Sequence, residues 1–198
     1  MPRPKLRTDG LRDEVLHAAV TLMEQDRTAV TARAVAGAAR TSTAAVYELF
    51  GDKTGLLRAV FYEAFHRLHD ELADVPVTDD PLADLVALQA ATRHFALAHP
   101  MLFEVMFARP FAELAPDPTD SEAAAGMMRL VLRAVGRAID AGLLVGDRGD
   151  IAHVVVAVNR GMITTELAGL AGSSRANIER RWRLGIGAVL DGLAPKAA

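Results

Sequence analysis

Residues 28–57 read TAVTARAVAGAARTSTAAVYELFGDKTGLL, and this run decides the fold. It holds two short helical stretches, one over about 32–39 and one from Thr43 to near Gly51, parted by a break at Arg40–Thr41. Thr31 and Ser42 stand immediately before them. A hydroxyl in that place accepts a hydrogen bond from the first free amides of a helix. Two short helices joined by so tight a turn have the geometry of a helix-turn-helix. Val35 and Ala36 on the first would pack against Val46 and either Leu49 or Phe50 on the second, and small Ala36 and Ala39 permit a close crossing.

That packing leaves Thr43, Ala44, Ala45 and Tyr47 on the outward face of the second helix. A helix that enters the major groove must be thin and polar at its N-terminal end, so that base edges can be approached. Threonine and alanine also suit contact with thymine methyl groups. Ser42, Thr43 and Tyr47 can donate to phosphates, as can Lys53 and the free amides at the start of its own helix. Phe50 reads as a core residue.

The run resembles the N-terminal DNA-binding domain of the tetracycline-repressor (TetR) family of bacterial transcription regulators. The matching residues are Thr31 opening one helix, Val35-Ala36 in its core, Ala39 before the turn and Ser42 capping the next helix. Tyr47 and Phe50 three apart, and Lys53 followed by Gly55-Leu56-Leu57, complete the set. The resemblance covers roughly residues 10–60. Departures are visible. Arg40 stands where the family usually has a turn glycine, so either the turn differs or Arg40 adds a phosphate contact. Leu49, Ala44 and Ala45 replace residues that are often polar, glycine or proline, and threonine. The base-reading face is therefore poor in hydrogen-bonding side chains, and specificity would lean on Thr43, methyl contacts, Arg33 and DNA shape. Arg3, Lys5 and Arg7 form either an arm along the DNA or a solvated tail.

Outward from this run, nearly every segment has helical period and none alternates like a strand. Leu11, Val15, Ala18, Ala19 and Leu22 mark a first helix with Asp9 placed to cap it. Asp52 caps a long helix bearing Leu56, Leu57, Val60, Phe61, Ala64, Phe65, Leu68 and Leu72, and Pro76 and Pro81 separate it from the next. Further helices are predicted over about 82–98, 100–108, 119–141, 148–171 and 176–193. Pro110 to Pro118 and Ala171 to Ser174 read as loops. The expectation is all-α: an N-terminal three-helix helix-turn-helix domain over 1–53, then a helical effector-binding and dimerisation domain over 54–198.

Composition agrees and excludes other classes. The chain has 198 residues, 51 % apolar and 24 % charged, with a mean hydropathy of +0.18, which is the make-up of a globular chain. It has no cysteine, which rules out disulfides, thiolate metal sites and cysteine nucleophiles. The longest apolar run, Val154 to Val158, is far short of the roughly 20 residues of a membrane helix. The start, MPRPKLRTDG, lacks the apolar stretch of a signal peptide. A cytoplasmic location with no membrane partner is expected. The net charge is −3, but residues 1–58 carry nine basic and seven acidic side chains, and the rest 13 and 18. A slightly basic head on an acidic body points to polyanion binding at one end.

Enzymatic readings fail on motif. Neither a G-x-S-x-G, a phosphate-cradling glycine loop nor a dinucleotide fingerprint is present. His66-x-x-His69 with Asp70 has no third ligand at a predictable spacing and reads as surface histidines. No cofactor or metal is expected.

The last two helices have broad apolar faces, with Gly161, Gly185 and Gly187 set among them for close crossings. A monomer has little to cover both, so a four-helix homodimer interface is expected, and a symmetric dimer reads a palindromic operator in double-stranded DNA. The resemblance adds a small-molecule pocket in the body. Phe95, Met101, Phe103, Met106, Phe107, Met127, Met128 and Met162 would supply soft walls, and Glu104, Asn159, Arg160 and Glu166 polar anchors; plain core packing is the competing reading for each. The expected function is a repressor released from its operator by a small apolar or amphipathic effector. Two alternatives stay open: a small-molecule binding protein with a vestigial helix-turn-helix, and a regulator that activates or has no effector.

Overall fold

The computed structural model describes residues 5–107 and 118–196. Among them it contains nine α-helices and no strand. They are α1 (Lys5–Gln25), α2 (Ala32–Ala38), α3 (Thr43–Phe50), α4 (Lys53–Ala73), α5 (Pro81–Ala98), α6 (Pro100–Phe107), α7 (Pro118–Asp140), α8 (Arg148–Leu167) and α9 (Arg175–Gly192), with one 3-10 turn at Arg27–Ala29.

Most boundaries are written in the capping residues. Asp80 Oδ1 accepts from the Leu82 and Ala83 amides at 3.1 and 3.0 Å, and Asp147 Oδ1 from Gly149 and Asp150 at 2.8 and 3.0 Å. Ser174 Oγ accepts from Asn177 at 3.3 Å. Such caps stabilise a helix start by about 1 kcal/mol each. Two expectations need correction. Asp9 is not a cap: α1 already begins at Lys5 and runs through Asp9 and Gly10, because Lys5, Leu6 and Arg7 are good helix formers. Lys5 and Arg7 therefore belong to a helix and not to a loose arm, while Arg3 lies outside the described residues. Helix α8 stops at Leu167, not near 171. Gly169 takes a left-handed φ of 73°, and the Gly169 and Leu170 amides turn back onto the Glu166 and Thr165 carbonyls at 2.9 and 3.0 Å. The expected loop over 110–118 falls outside the described residues except for Pro118, which opens α7.

The packing forms two compact units. The first gathers the described residues up to His66 together with α6. Its core holds Val15, Ala19 and Met23 of α1, Val35, Val46, and Leu56, Leu57, Val60 and Phe61 of α4, with Leu102 and Val105 of α6. Phe61, Phe65, Phe107 and Phe103 form a row of rings with centroids 5.0, 5.8 and 4.7 Å apart. His99 Nδ1 meets Glu24 Oε1 at 2.6 Å, tying the start of α6 to the end of α1.

The second unit takes α4 from Arg67, then α5, α7 from Ser121, α8 and α9. Leu85, Phe95, Val135, Ala138, Ile151, Val155, Ile163, Trp182 and Ile186 are buried there. Polar clasps bind its helices. Asn159 Oδ1 accepts from Trp182 Nε1 at 2.9 Å while its Nδ2 donates to the Gln89 carbonyl at 3.0 Å. Arg93 donates to both oxygens of Glu166, at 2.7 and 2.9 Å, and to Glu179 at 2.5 Å. Gly185 admits Met162, whose sulfur lies 3.3 Å from where a Cβ would stand. Gly161 and Gly187, expected in the same role, border open space in the single chain.

Candidate nucleic-acid interface

The helix-turn-helix is held by its own caps. Thr31 and Ser42 have extended backbone; their hydroxyls accept from Ala34 at 3.2 Å and from Ala45 at 3.1 Å. Between α2 and α3 the buried residues are Ala32, Val35, Ala36, Val46 and Phe50. Phe50 therefore takes the core position, and Leu49 is only half-buried.

The turn is closed by backbone bonds. The Arg40 amide donates to Gly37 at 3.2 Å and the Thr41 amide to Ala36 at 2.9 Å, the paired bonds of a Schellman motif. Such a motif needs a left-handed residue after the cap, and Arg40 supplies it with φ 51°. A side chain in that conformation costs about 1 kcal/mol relative to glycine. Arg40→Gly is thus expected to raise stability by about 1 kcal/mol, read as a higher urea midpoint with an unchanged slope, and Arg40→Ala to give no such gain. Equal midpoints for both variants would remove the strain argument. Both variants lack the guanidinium, so a loss of DNA affinity common to the two reports its charge.

On the outward side, Thr43 and Ala44 are exposed, Ala45 is half-buried and Tyr47 is 47 % exposed. Thr43 and Tyr47 are one turn apart, and Ala44 and Tyr47 three residues apart. They form one strip on α3, away from Val46 and Phe50. Arg40 and Ser42 are exposed between α2 and α3, Arg33 is exposed on α2, and Thr31 lies exposed at the start of α2. Lys53 is exposed as the first residue of α4, whose start is fixed by Asp52 Oδ1 accepting from the Gly55 amide at 2.8 Å.

One positioning residue has no counterpart in the sequence reading. Arg12 on α1 donates from Nη1 to the Leu49 carbonyl at 3.0 Å, and its guanidinium lies 4.6 Å from the centroid of the Phe50 ring. It satisfies one of the last carbonyls of α3 and fixes that helix on α1. The contact spans 37 residues, so no local spacing discloses it.

Residues 15–60 match the bacterial regulatory proteins of the tetR family, and residues 85–189, more than half the chain, match the tetracyclin repressor-like C-terminal domain. The chain belongs to the TetR family. It is therefore a DNA-binding transcription regulator and not an enzyme. A protein of unknown function from Rhodococcus sp. RHA1 is 29 % identical over 93 % of this chain and 96 % of its own, with a TM-score of 0.80. The TetR regulator PfmR from Thermus thermophilus is 19 % identical over 91 % of this chain and 99 % of its own, with a TM-score of 0.65. The fatty acid degradation regulator FadR from Bacillus halodurans is 18 % identical over 91 % and 98 %, with a TM-score of 0.71. The last two share the fold. No curated protein matches the chain at a significant level.

The residues expected around an effector of this TetR chain fall in both units. In α6, Phe103 and Met106 are buried, and Met101, Glu104 and Phe107 half-buried; Phe95 of α5 and Met127 of α7 are buried. Met128 and Met162 are half-buried, and Arg160 is exposed on α8. The two polar anchors Asn159 and Glu166 have their polar atoms engaged by Trp182, Gln89 and Arg93. A cavity of about 340 Å³ opens elsewhere in the second unit, between the end of α4, residues 75–77, α5 and α7, and none of these side chains lines it. Among the described residues no three histidine, aspartate or glutamate side chains gather to hold a metal, and no helix is long and apolar enough to cross a membrane.

Proposed function

We propose that the protein is a homodimeric, cytoplasmic transcriptional repressor that leaves a palindromic operator when a small apolar or amphipathic effector binds its body. Residues 1–53 read DNA, and residues 54–198 dimerise and hold the effector. The reading rests on the strip Thr43–Ala44–Tyr47 of α3, exposed and free of bulky apolar groups, with Ala45 half-buried beside it and capped helix starts at Thr31, Ser42 and Lys53 nearby. Helix starts present free amides and positive partial charge, which suits phosphates. Thr43, the alanine methyls and Arg33 then supply the specificity, with Arg40 alongside for the backbone.

Dimerisation is supported by a second surface. On α8, Val154, Val158 and Gly161 follow at helical spacing, and on α9, Leu184, Gly187 and Ala188 do the same. Val154 is 45 % and Leu184 71 % exposed, and the two glycines have nothing against them. Small and apolar residues in line on two neighbouring helices fit a second copy of the same pair. The effector acts only through a difference in its affinity for the DNA-bound and released states.

The test is fluorescence anisotropy on DNA from upstream of the protein's own gene, against scrambled DNA, at two salt concentrations. Selective binding with two chains per site is expected. Tyr47→Phe combined with Lys53→Ala should weaken binding to every sequence by about tenfold. Its logarithmic salt slope should flatten by about two, one lysine–phosphate contact from each subunit. Unchanged affinity and slope would remove both residues from the interface, and equal weak binding of the native chain to both DNAs would favour a helix-turn-helix that no longer reads DNA.

A further inference from the structure

The cavity of the second unit is lined mostly by apolar side chains. Leu72 at the end of α4, Val75, Leu88 of α5 and Leu130 of α7 are among them, together with three charged residues, Asp84, Arg133 and Arg137. Asp84 is only 5 % exposed. Its oxygens accept from the Thr78 amide at 3.1 and 3.0 Å, from the Thr78 hydroxyl at 2.7 Å and from Arg137, which also donates to the Thr78 carbonyl. The Thr78 hydroxyl above all, then the Thr78 amide and Arg137, hold the Asp84 carboxyl below its ordinary range, so it is ionised at neutral pH. Asp84 and Arg137 thus form a closed, mutually neutralised pair.

Arg133 is different. It precedes Arg137 by one turn on the same face of α7, is exposed, and has no hydrogen bond or ion pair among the described residues. Two guanidiniums and one carboxylate thus line the cavity, and Arg133 is the charged lining residue that stands outside the Asp84–Arg137 pair.

We propose that this cavity binds a small amphipathic monocarboxylate, with its aliphatic chain along Leu72, Leu88 and Leu130 and its carboxylate on Arg133. A guanidinium fork matches a carboxylate in two parallel bonds. The apolar sides offer nothing to a hydroxylated or amide-rich molecule. The volume, near the lower end of ordinary ligand sites, suits a short chain. Asp84 within the cavity, and Asp74, Asp79 and Asp80 in the segment that borders it, disfavour a multiply charged anion. The site names the chemistry of the effector in the reading above; its regulatory consequence rests on that reading, and its binding does not.

The test is titration calorimetry of the full chain with sodium octanoate, octan-1-ol and octylammonium chloride, without DNA. Octanoate binds once per chain, and octylammonium binds more weakly. Arg133→Gln, a surface change that leaves the unliganded melting temperature in place, weakens octanoate by about tenfold and leaves octan-1-ol unchanged. Leu130→Phe, which fills the apolar part, weakens both. Absence of octanoate binding, equal affinity in Arg133→Gln, or octylammonium binding as tightly as octanoate would each overturn the site. Octanoate binding as described with no change in operator anisotropy keeps the site and removes its regulatory role.

Discussion

Gly55→Ala is expected to unfold the DNA-binding part at a much lower temperature than any other single added methyl in it. Gly55 is the third residue of α4, and a Cβ there would lie 1.9 Å from the carbonyl oxygen of Phe50 and 3.1 Å from its carbon. Neither partner can step aside cheaply. Phe50 is held in the core with Arg12 over its ring, and the start of α4 is fixed by Asp52 through the Gly55 and Leu56 amides at 2.8 and 3.1 Å. Relief requires α3 and α4 to separate, at a cost of about 3 kcal/mol. That corresponds to a melting temperature lower by roughly 10 °C for a chain of this size. Gly37→Ala is the internal control. Gly37 lies within α2 with nothing within 4 Å of the new methyl. There alanine loses less backbone freedom on folding than glycine and should stabilise by about 0.5–1 kcal/mol. The same substitution at two glycines of one domain is thus expected to have opposite signs. If thermal melts show both variants equally mild, the close approach of α4 to the end of α3 is not a feature of the folded protein.

The contrast between those glycines shows what is legible in the sequence. Caps, apolar spacing and turn position are properties of a few consecutive residues. Thr31, Ser42 and Asp52 can therefore be read as helix starts, and Val35, Ala36 and Val46 as the helix-turn-helix core, from spacing alone. Where local signals compete, the sequence misleads. Asp9 is a good cap residue, yet Lys5, Leu6 and Arg7 propagate helix ahead of it; at the end of α8, Gly169 terminates earlier than the apolar period suggests. Arg40 is instructive because its departure from the family pattern is legible and its consequence is not. The turn keeps its left-handed residue and carries a side chain there. The exposed strip on α3 follows from helical period once Val46 and Phe50 are placed inside. The cavity does not. It is built from residues 72–77, 84–88 and 130–137, brought together only by the packing of α4, α5 and α7. Asn159 and Glu166 have the composition of ligand anchors, but only the fold shows that Trp182, Gln89 and Arg93 already engage them.

Arg93 carries the second large effect. Its guanidinium joins α5 to partners 73 and 86 residues away, Glu166 on α8 and Glu179 on α9, and lies 5.4 Å from the Trp182 ring centroid. Arg93 and Glu166 are 13 % and 12 % exposed at the side chain. The hydrogen bonds that Arg93 donates to Glu166 outweigh burial and raise its pKa further above the ordinary value. Arg93→Met keeps much of the stem but leaves the Glu166 carboxylate almost buried with no cation, and a loss of about 3 kcal/mol is expected. Glu179 adds less, because it is more exposed and also holds Arg183 at 2.8 Å. The double variant Arg93→Met, Glu166→Leu distinguishes the causes. An apolar pair of similar volume often matches a buried ion pair, so urea unfolding should show most of the loss recovered. A double variant as unstable as the single one would assign the effect to the packing of the Arg93 stem on Trp182. The consequence extends to assembly, since α8 and α9 present the apolar stripes proposed for the second copy. Loosening their common clamp should increase the monomer fraction of Arg93→Met in sedimentation at low micromolar concentration, while the double variant stays dimeric.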